Sequence, residues 1–137
     1  MSIQFQSLSQ DGMGFLTKVL ALDWEPVSNR LMAQGFTREK VKVSLWKYAC
    51  FLTLTYIYPC ALVPSQLIDD THHAFISDPI HYEQEMKQLN HFVEHVPYVK
   101  GQYFNNEGFL HRFNYTKLLF RENFDFEMIA EEDRGTD

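Results

Sequence analysis

The sequence predicts an all-α protein, a compact single-domain bundle of about five or six helices. Apolar residues recur at helical three- and four-residue spacing, and no alternating apolar and polar run is long enough for a sheet. No linker rich in Gly, Ser or Pro divides the chain, and 137 residues with 45% hydrophobic and 22% charged side chains is the composition of one globular domain. We therefore expect a helical domain over residues 1–124 and an acidic, flexible tail over residues 125–137.

The first two predicted helices are short. The segment 15–20 (FLTKVL) places its apolar residues at helical spacing. Asp23 is the expected N-cap of the second helix, because its carboxylate can accept a free backbone N–H. Pro26 is tolerated in the first turn of that helix, and Gly35 is expected to end it.

The third predicted helix is the longest. Thr37 is its expected N-cap, with Phe36 and Val41 placed to form a hydrophobic staple. The apolar phase set at Val41 continues until Pro59 ends the helix. The stretch 48–58 (YACFLTLTYIY) is apolar nearly all round, so a buried strand is the alternative for this stretch alone. The continuous phase favours a central, buried helix.

Two further helices begin at clear capping residues. Ser65 is the expected N-cap of a helix over 66–76. Asp78 followed by Pro79 is the next start signal, since proline is favoured at the first helical position. Helical spacing then continues to Val93.

The last predicted helix covers 107–124, after Pro97 and Gly101 interrupt the pattern. Residues 125–137 hold six acidic side chains against one arginine, so this end accounts for most of the formal net charge of −6. The rest of the chain is close to neutral. This charge distribution argues against a broad basic surface and therefore against a nucleic-acid partner.

Cysteine content and hydropathy bound the compartment. Cys50 and Cys60 are too few for a disulfide scaffold or a four-thiolate zinc site, and both are expected to be reduced and buried. The N-terminal sequence lacks the basic and apolar blocks of a secretory signal. No window approaches ~18 uninterrupted apolar residues. We expect a cytoplasmic protein without a membrane partner.

Charge is divided within the body of the chain. Residues 30–47 carry five basic side chains against one acidic, and residues 69–94 carry six acidic against one basic. The two segments can be helix faces that are solvated or that face each other. Alternatively they form the polar rim of a partner site, for which Arg38, Lys40 and Lys42 are the partner-binding candidates.

Histidines are concentrated in the middle of the chain. Asp69 and His73 are four residues apart, so on a helix they share a face and can offer an oxygen and an imidazole to one metal ion. His91 and His95 are also four apart and belong to an H-x-x-E-H pattern, which zinc peptidases use together with a third ligand elsewhere. Packed amphipathic histidines are the simpler interpretation. The alternative is a divalent-metal site formed by Asp69, His73, His91 and His95.

A set of motifs in residues 48–101 resembles one family. An aromatic helix and a proline precede L-V-P-[ST]-x-x-I-D, then a W-H-x-H position, a D-x-x-x-Y helix and an H-x-P-Y-x-G closure. The arrangement resembles small bacterial proteins related to the N-terminal region of plant glycine-rich domain-containing proteins. The matching residues are Leu62, Val63, Pro64, Ser65, Ile68, Asp69, His73, Asp78, Tyr82, His95, Pro97, Tyr98 and Gly101.

Two positions depart from the family pattern. His72 stands at the tryptophan, and Phe75 stands at the second histidine of W-H-x-H. The loss of that histidine weakens any catalytic inference carried over from the family. The resemblance implies an all-helical domain in which Asp69, His73, His95 and Tyr98 converge, either as a structural polar network or as the lining of a small pocket.

The leading functional hypothesis is a non-enzymatic interaction or regulatory module whose partner is another protein. No Gly-rich phosphate loop, nucleophile elbow or activated cysteine context completes a catalytic set, and no cofactor is predicted. The first alternative is a metal-binding protein or metal-dependent enzyme using the Asp/His residues. The second is a small acidic inhibitor, of phage or immunity type, that binds a partner protein.

Overall fold

The computed structural model describes residues 8–58, 60–91 and 107–129. Six helices and no β-strand lie in these ranges, which confirms the predicted all-α bundle. In chain order the helices are α1 (Gln10–Leu20), α2 (Glu25–Ala33), α3 (Arg38–Ile57), α4 (Gln66–Ile76), α5 (Pro79–Leu89) and α6 (Glu107–Phe124).

Helix α3 is the centre of the bundle. It contacts α1, α2, α4 and α6, and every residue from Lys47 to Thr55 is buried. The stretch 48–58 is thus helical through Ile57, as its apolar phase predicted, and the strand alternative is wrong. A helix that is apolar on all sides is stable only when other helices cover it, and α3 is covered in this way.

Side-chain caps start three of the six described helices at the residues that the sequence predicts. Thr37, Ser65 and Asp78 each accept a hydrogen bond from a backbone N–H in the first turn of α3, α4 and α5. Helix α2 differs, because Trp24 is its N-cap and Asp23 lies one residue earlier, where its Oδ1 accepts the Glu25 N–H at 3.3 Å.

The end of α2 is the predicted glycine stop. Gly35 has φ +104°, a value that residues with a Cβ rarely adopt. Its N–H donates to the Met32 carbonyl and the Phe36 N–H donates to the Leu31 carbonyl, which is a Schellman motif.

Helix α5 is shorter than the helical spacing suggests. It ends at Leu89, and Asn90 follows in the left-handed conformation with φ 50°. Asparagine tolerates this conformation better than most residues, so it can end a helix. The spacing of apolar residues does not reveal such an end. His91 therefore lies beyond the helix, and Val93 lies outside the described residues.

The chain stays on the core after α6. Phe126 packs against the rings of Phe120 and Phe124, and Met128 is completely buried. The first residues of the predicted acidic tail, which begins at residue 125, are therefore packed against the core. They alternate charged side chains with apolar ones, and the apolar ones are buried or packed on the bundle. Residues 130–137 lie outside the described ranges.

The two oppositely charged segments meet in the bundle. Arg30 of α2 forms an ion pair with Asp78, with 3.2 Å between nitrogen and oxygen. Burial and the neighbouring Asp69 carboxylate raise the pKa of Asp70, and the nearby His73 and Lys40 partly oppose this. The interpretation that the segments face each other therefore holds at these positions.

Two further findings concern the cysteines and the hydropathy of the helices. Cys50 is buried within α3 as expected, whereas Cys60, which follows the end of α3, is exposed, so its predicted burial is wrong. Among the helices in the described ranges, none has the length and hydropathy that crossing a bilayer requires.

Candidate functional site

A cavity of about 560 Å³ opens along one face of α5. This volume is within the roughly 300–1,000 Å³ of typical small-molecule sites. The residues that line it lie one helical turn apart and continue past the end of the helix. Within the described ranges they are Pro79, Tyr82, Glu83, Met86, Lys87, Asn90 and His91. The lining combines apolar surface with a few polar groups, as ligand sites do.

Tyr82 joins the cavity to a buried aromatic cluster beneath it. Its ring meets the ring of Phe75 edge to face at 4.8 Å and that of His72 at 6.0 Å. His72 in turn shares a hydrogen bond with Tyr48, with 2.7 Å between Nδ1 and the phenol oxygen. Trp24 packs edge to face on Tyr48. The cavity wall at Tyr82 therefore rests on a rigid, hydrogen-bonded support.

The hydroxyls of this cluster stay protonated at neutral pH. Burial raises the pKa of Tyr48 well above its usual value, and the nearby Tyr82 and Asp69 raise it further. Burial also raises the pKa of Tyr82. Both phenols are therefore hydrogen-bonding groups rather than bases.

His91 lies at the end of the cavity and is held by residues from two other helices. Its ring meets Phe15 edge to face at 5.3 Å and Tyr56 at 5.7 Å. Its Nε2 is 3.1 Å from the hydroxyl oxygen of Thr55. Burial lowers the pKa of His91, so the neutral ring predominates at pH 7. Aromatic contacts and one hydrogen bond thus fix an uncharged imidazole at this position.

The Thr55 hydroxyl determines the tautomer of His91. It donates its single proton to the Leu52 carbonyl at 2.6 Å, so it can only accept from the imidazole. His91 therefore carries its proton on Nε2 and its lone pair on Nδ1. No hydrogen bond joins Nδ1 to any residue in the described part of the chain.

A second cavity of about 300 Å³ adjoins the same end of α5. Asn90 and the stacked rings of Phe15 and Tyr56 belong to its lining. The Tyr56 hydroxyl donates to the Asp11 carboxylate at 3.0 Å, which ties α3 to α1. This hydrogen bond is the main cause of the raised pKa of Tyr56.

The predicted polar cluster is visible only in part. Asp69 is buried and His73 is mostly exposed, with 3.7 Å between Asp69 Oδ2 and His73 Nε2, as expected for residues four apart on α4. His95 and Tyr98 lie outside the described residues, so the convergence of the four side chains stays a prediction.

The metal hypothesis also stays a prediction. Across the described ranges, no three His, Cys, Asp or Glu side chains form a group that could hold a metal ion, so Asp69, His73 and His91 do not make one by themselves. The H-x-x-E-H pattern does not begin on α5, because the helix ends at Leu89. Its remaining residues, His95 included, lie outside the described ranges.

The partner-binding candidates lie in the first turns of α3. Arg38 and Lys42 are exposed and one turn apart. Lys40 is half-buried, with its ammonium 4.3 Å from the centre of the Phe36 ring. A protein partner on this face stays a prediction that charge reversal at Arg38 and Lys42 tests in a pull-down.

Sequence reasoning did not select His72 and Thr55. His72 belongs to a buried stripe with Ile68 and Phe75 at helical spacing, and that stripe could have identified it as the inward histidine of the pair. Thr55 and His91 are 36 residues apart, and no local pattern links them.

Comparisons with known proteins add no relative. No protein-family model, curated protein or solved structure matches the chain. The resemblance to the glycine-rich domain-containing proteins therefore stays a prediction, and function is argued from the site alone.

Proposed function

We propose that this protein is a non-enzymatic binding module that holds its ligand in the α5 cavity. The observation that carries the proposal is the cavity of about 560 Å³, with Tyr82 and Met86 as apolar surface and His91 at its end. This volume is that of typical small-molecule sites.

The support beneath the cavity favours binding. Tyr82 is backed by the buried Tyr48–His72 hydrogen bond, and His91 is held by Thr55. A preformed wall reduces the entropy lost on binding, because fewer side chains must be ordered when the ligand enters.

A non-enzymatic role fits the chemistry of the described side chains. Burial raises the pKa of the Cys50 thiol, which makes it a poor nucleophile. Tyr82 keeps its proton at neutral pH, so it is not an available base in the cavity. The lining within the described ranges offers packing surface and hydrogen-bonding groups, and it contains no cysteine, serine or threonine nucleophile.

A matched pair of tryptophan variants tests the proposal. Glu83 lines the cavity and is exposed, whereas Gln84 is exposed and does not line it within the described ranges. A library of small uncharged aromatic compounds is screened by amide chemical-shift changes in the labelled protein. We expect some compounds to shift the amide signals of α5 residues. Their binding should be abolished by Glu83→Trp and retained in Gln84→Trp. Glu83→Gln shows separately what loss of the charge does.

Two results would contradict the proposal. The first is the absence of any compound that shifts α5 residues. The second is a set of hits that bind equally well to both tryptophan variants, because those compounds would occupy another surface.

A further inference from the structure

Within the described part of the cavity lining, the formal charges compensate each other. Glu83 and Lys87 place one carboxylate and one ammonium one turn apart on the same helix face. The other members of the lining in the described ranges carry no formal charge when His91 is neutral. A ligand with a net charge would meet no excess of opposite charge among these described residues, and it would lose part of its hydration on entering.

Among the described residues, none forms a hydrogen bond with the Nδ1 lone pair of His91, and this lone pair gives the site a direction. His91 Nε2 donates a hydrogen bond to the Thr55 hydroxyl, which in turn donates to the Leu52 carbonyl. Moving the imidazole proton from Nε2 to Nδ1 would therefore break the hydrogen bond with Thr55. Nδ1 is thereby an acceptor on a residue that lines the cavity. A hydrogen-bond acceptor at the edge of an apolar site selects ligands that carry a donor, since a partner without one leaves it unpaired.

We propose that the cavity binds an uncharged, apolar or aromatic molecule bearing an O–H or N–H donor, which His91 accepts at Nδ1. This proposal rests on the proposed binding function and specifies the ligand class. Tyr82 and Met86 supply the apolar surface, and sulfur and aromatic rings both pack well against an aromatic ligand.

Ligand analogues that differ in one feature test the class. The probes are 4-ethylphenol, its methyl ether 4-ethylanisole, and the charged analogues 4-ethylbenzoate and 4-ethylbenzylammonium. Dissociation constants come from titrations of the labelled protein followed by amide shifts in α5. We expect the phenol to bind about threefold to tenfold more tightly than the ether, the effect of one neutral hydrogen bond. We also expect it to bind more tightly than either charged analogue.

Two variants assign the preference to His91. His91→Phe keeps a ring against Phe15 and Tyr56 but removes the acceptor, so the phenol and the ether should bind equally. His91→Asn places an amide oxygen near the position of Nδ1, so it should restore part of the preference. Amide spectra of the free variants verify that both are folded.

The outcomes separate this inference from the proposed function. If every probe binds in the cavity without a preference for the donor, or if the preference survives His91→Phe, this inference is wrong and the binding function stands. Tighter binding of a charged analogue likewise overturns the ligand class alone. If no probe shifts α5 residues, the proposed function is contradicted and this inference with it.

Discussion

Removal of the Tyr48 hydroxyl is predicted to destabilise the support of the cavity. Tyr48 is fully buried, and its oxygen lies 2.7 Å from His72 Nδ1. Tyr48→Phe keeps the ring packed against Trp24 and Phe75 and removes the hydrogen-bonding oxygen. The variant therefore isolates the hydrogen bond from the packing of the ring.

The magnitude follows from the burial of both partners. Loss of a partner to a buried polar group costs about 1–3 kcal/mol, because the remaining group stays away from water. For 137 residues, an unfolding entropy of about 2.1 cal/mol/K per residue gives roughly 0.29 kcal/mol/K, so each kcal/mol lowers Tm by about 3.5 °C. Tyr48→Phe is expected to lower Tm by about 3–10 °C.

Calorimetry and urea unfolding at pH 7 measure the effect. Tyr115→Phe is the matched control, since Tyr115 is exposed on α6 and its hydroxyl has no hydrogen bond within the described residues. We expect Tyr115→Phe to stay within about 0.5 kcal/mol of the parent protein. A Tyr48→Phe protein as stable as the control would refute the role given to the Tyr48–His72 hydrogen bond.

Three further predictions concern α1, pH and metal. Gly14→Ala should stabilise the protein by about 0.5–1 kcal/mol in urea unfolding, because a Cβ at this helical position meets open space. Gly12→Ala should stabilise it less, since the added Cβ would lie 2.8 Å from an Ile57 methyl group. Equal gains in the two variants would contradict this prediction. Stability should fall as the pH drops below about 6.5, because the unfolded chain then binds a proton that burial disfavours on His91 in the folded protein. Urea midpoints measured at pH 7.5 and 5.5 should therefore fall less in His91→Gln than in the parent protein. An equal fall in the two proteins would contradict this prediction. Under the metal hypothesis, elemental analysis of tag-free protein finds a stoichiometric divalent metal that Asp69→Asn loses, and substoichiometric metal contradicts that hypothesis.

Local signals predict most of the helical framework. The N-caps at Thr37, Ser65 and Asp78 and the stop at Gly35 each act within one helical turn, and a reader of the sequence can recognise them. The end of α5 is missed because apolar spacing continues past Asn90, while the left-handed cap depends on the backbone conformation.

The site is less predictable because it depends on contacts between distant residues. The Asp69–His73 pair follows from spacing on one helix, and it forms as expected. The contacts of His91 with Thr55 and Phe15 cross three segments of the chain, and their registry is set by how α1 and α5 pack. Sequence spacing places His91 beside His95, whereas tertiary packing places it at the end of a cavity.

Intermolecular nuclear Overhauser effects between 4-ethylphenol and the protein test the binding site most directly. The ethyl and ring protons of the probe should contact the Met86 methyl group and the Tyr82 ring, both of which line the cavity. The same contacts should persist in Gln84→Trp and disappear in Glu83→Trp. Contacts from the probe to other surfaces alone, or none at any concentration up to its solubility, would contradict the assignment of the α5 cavity as the binding site.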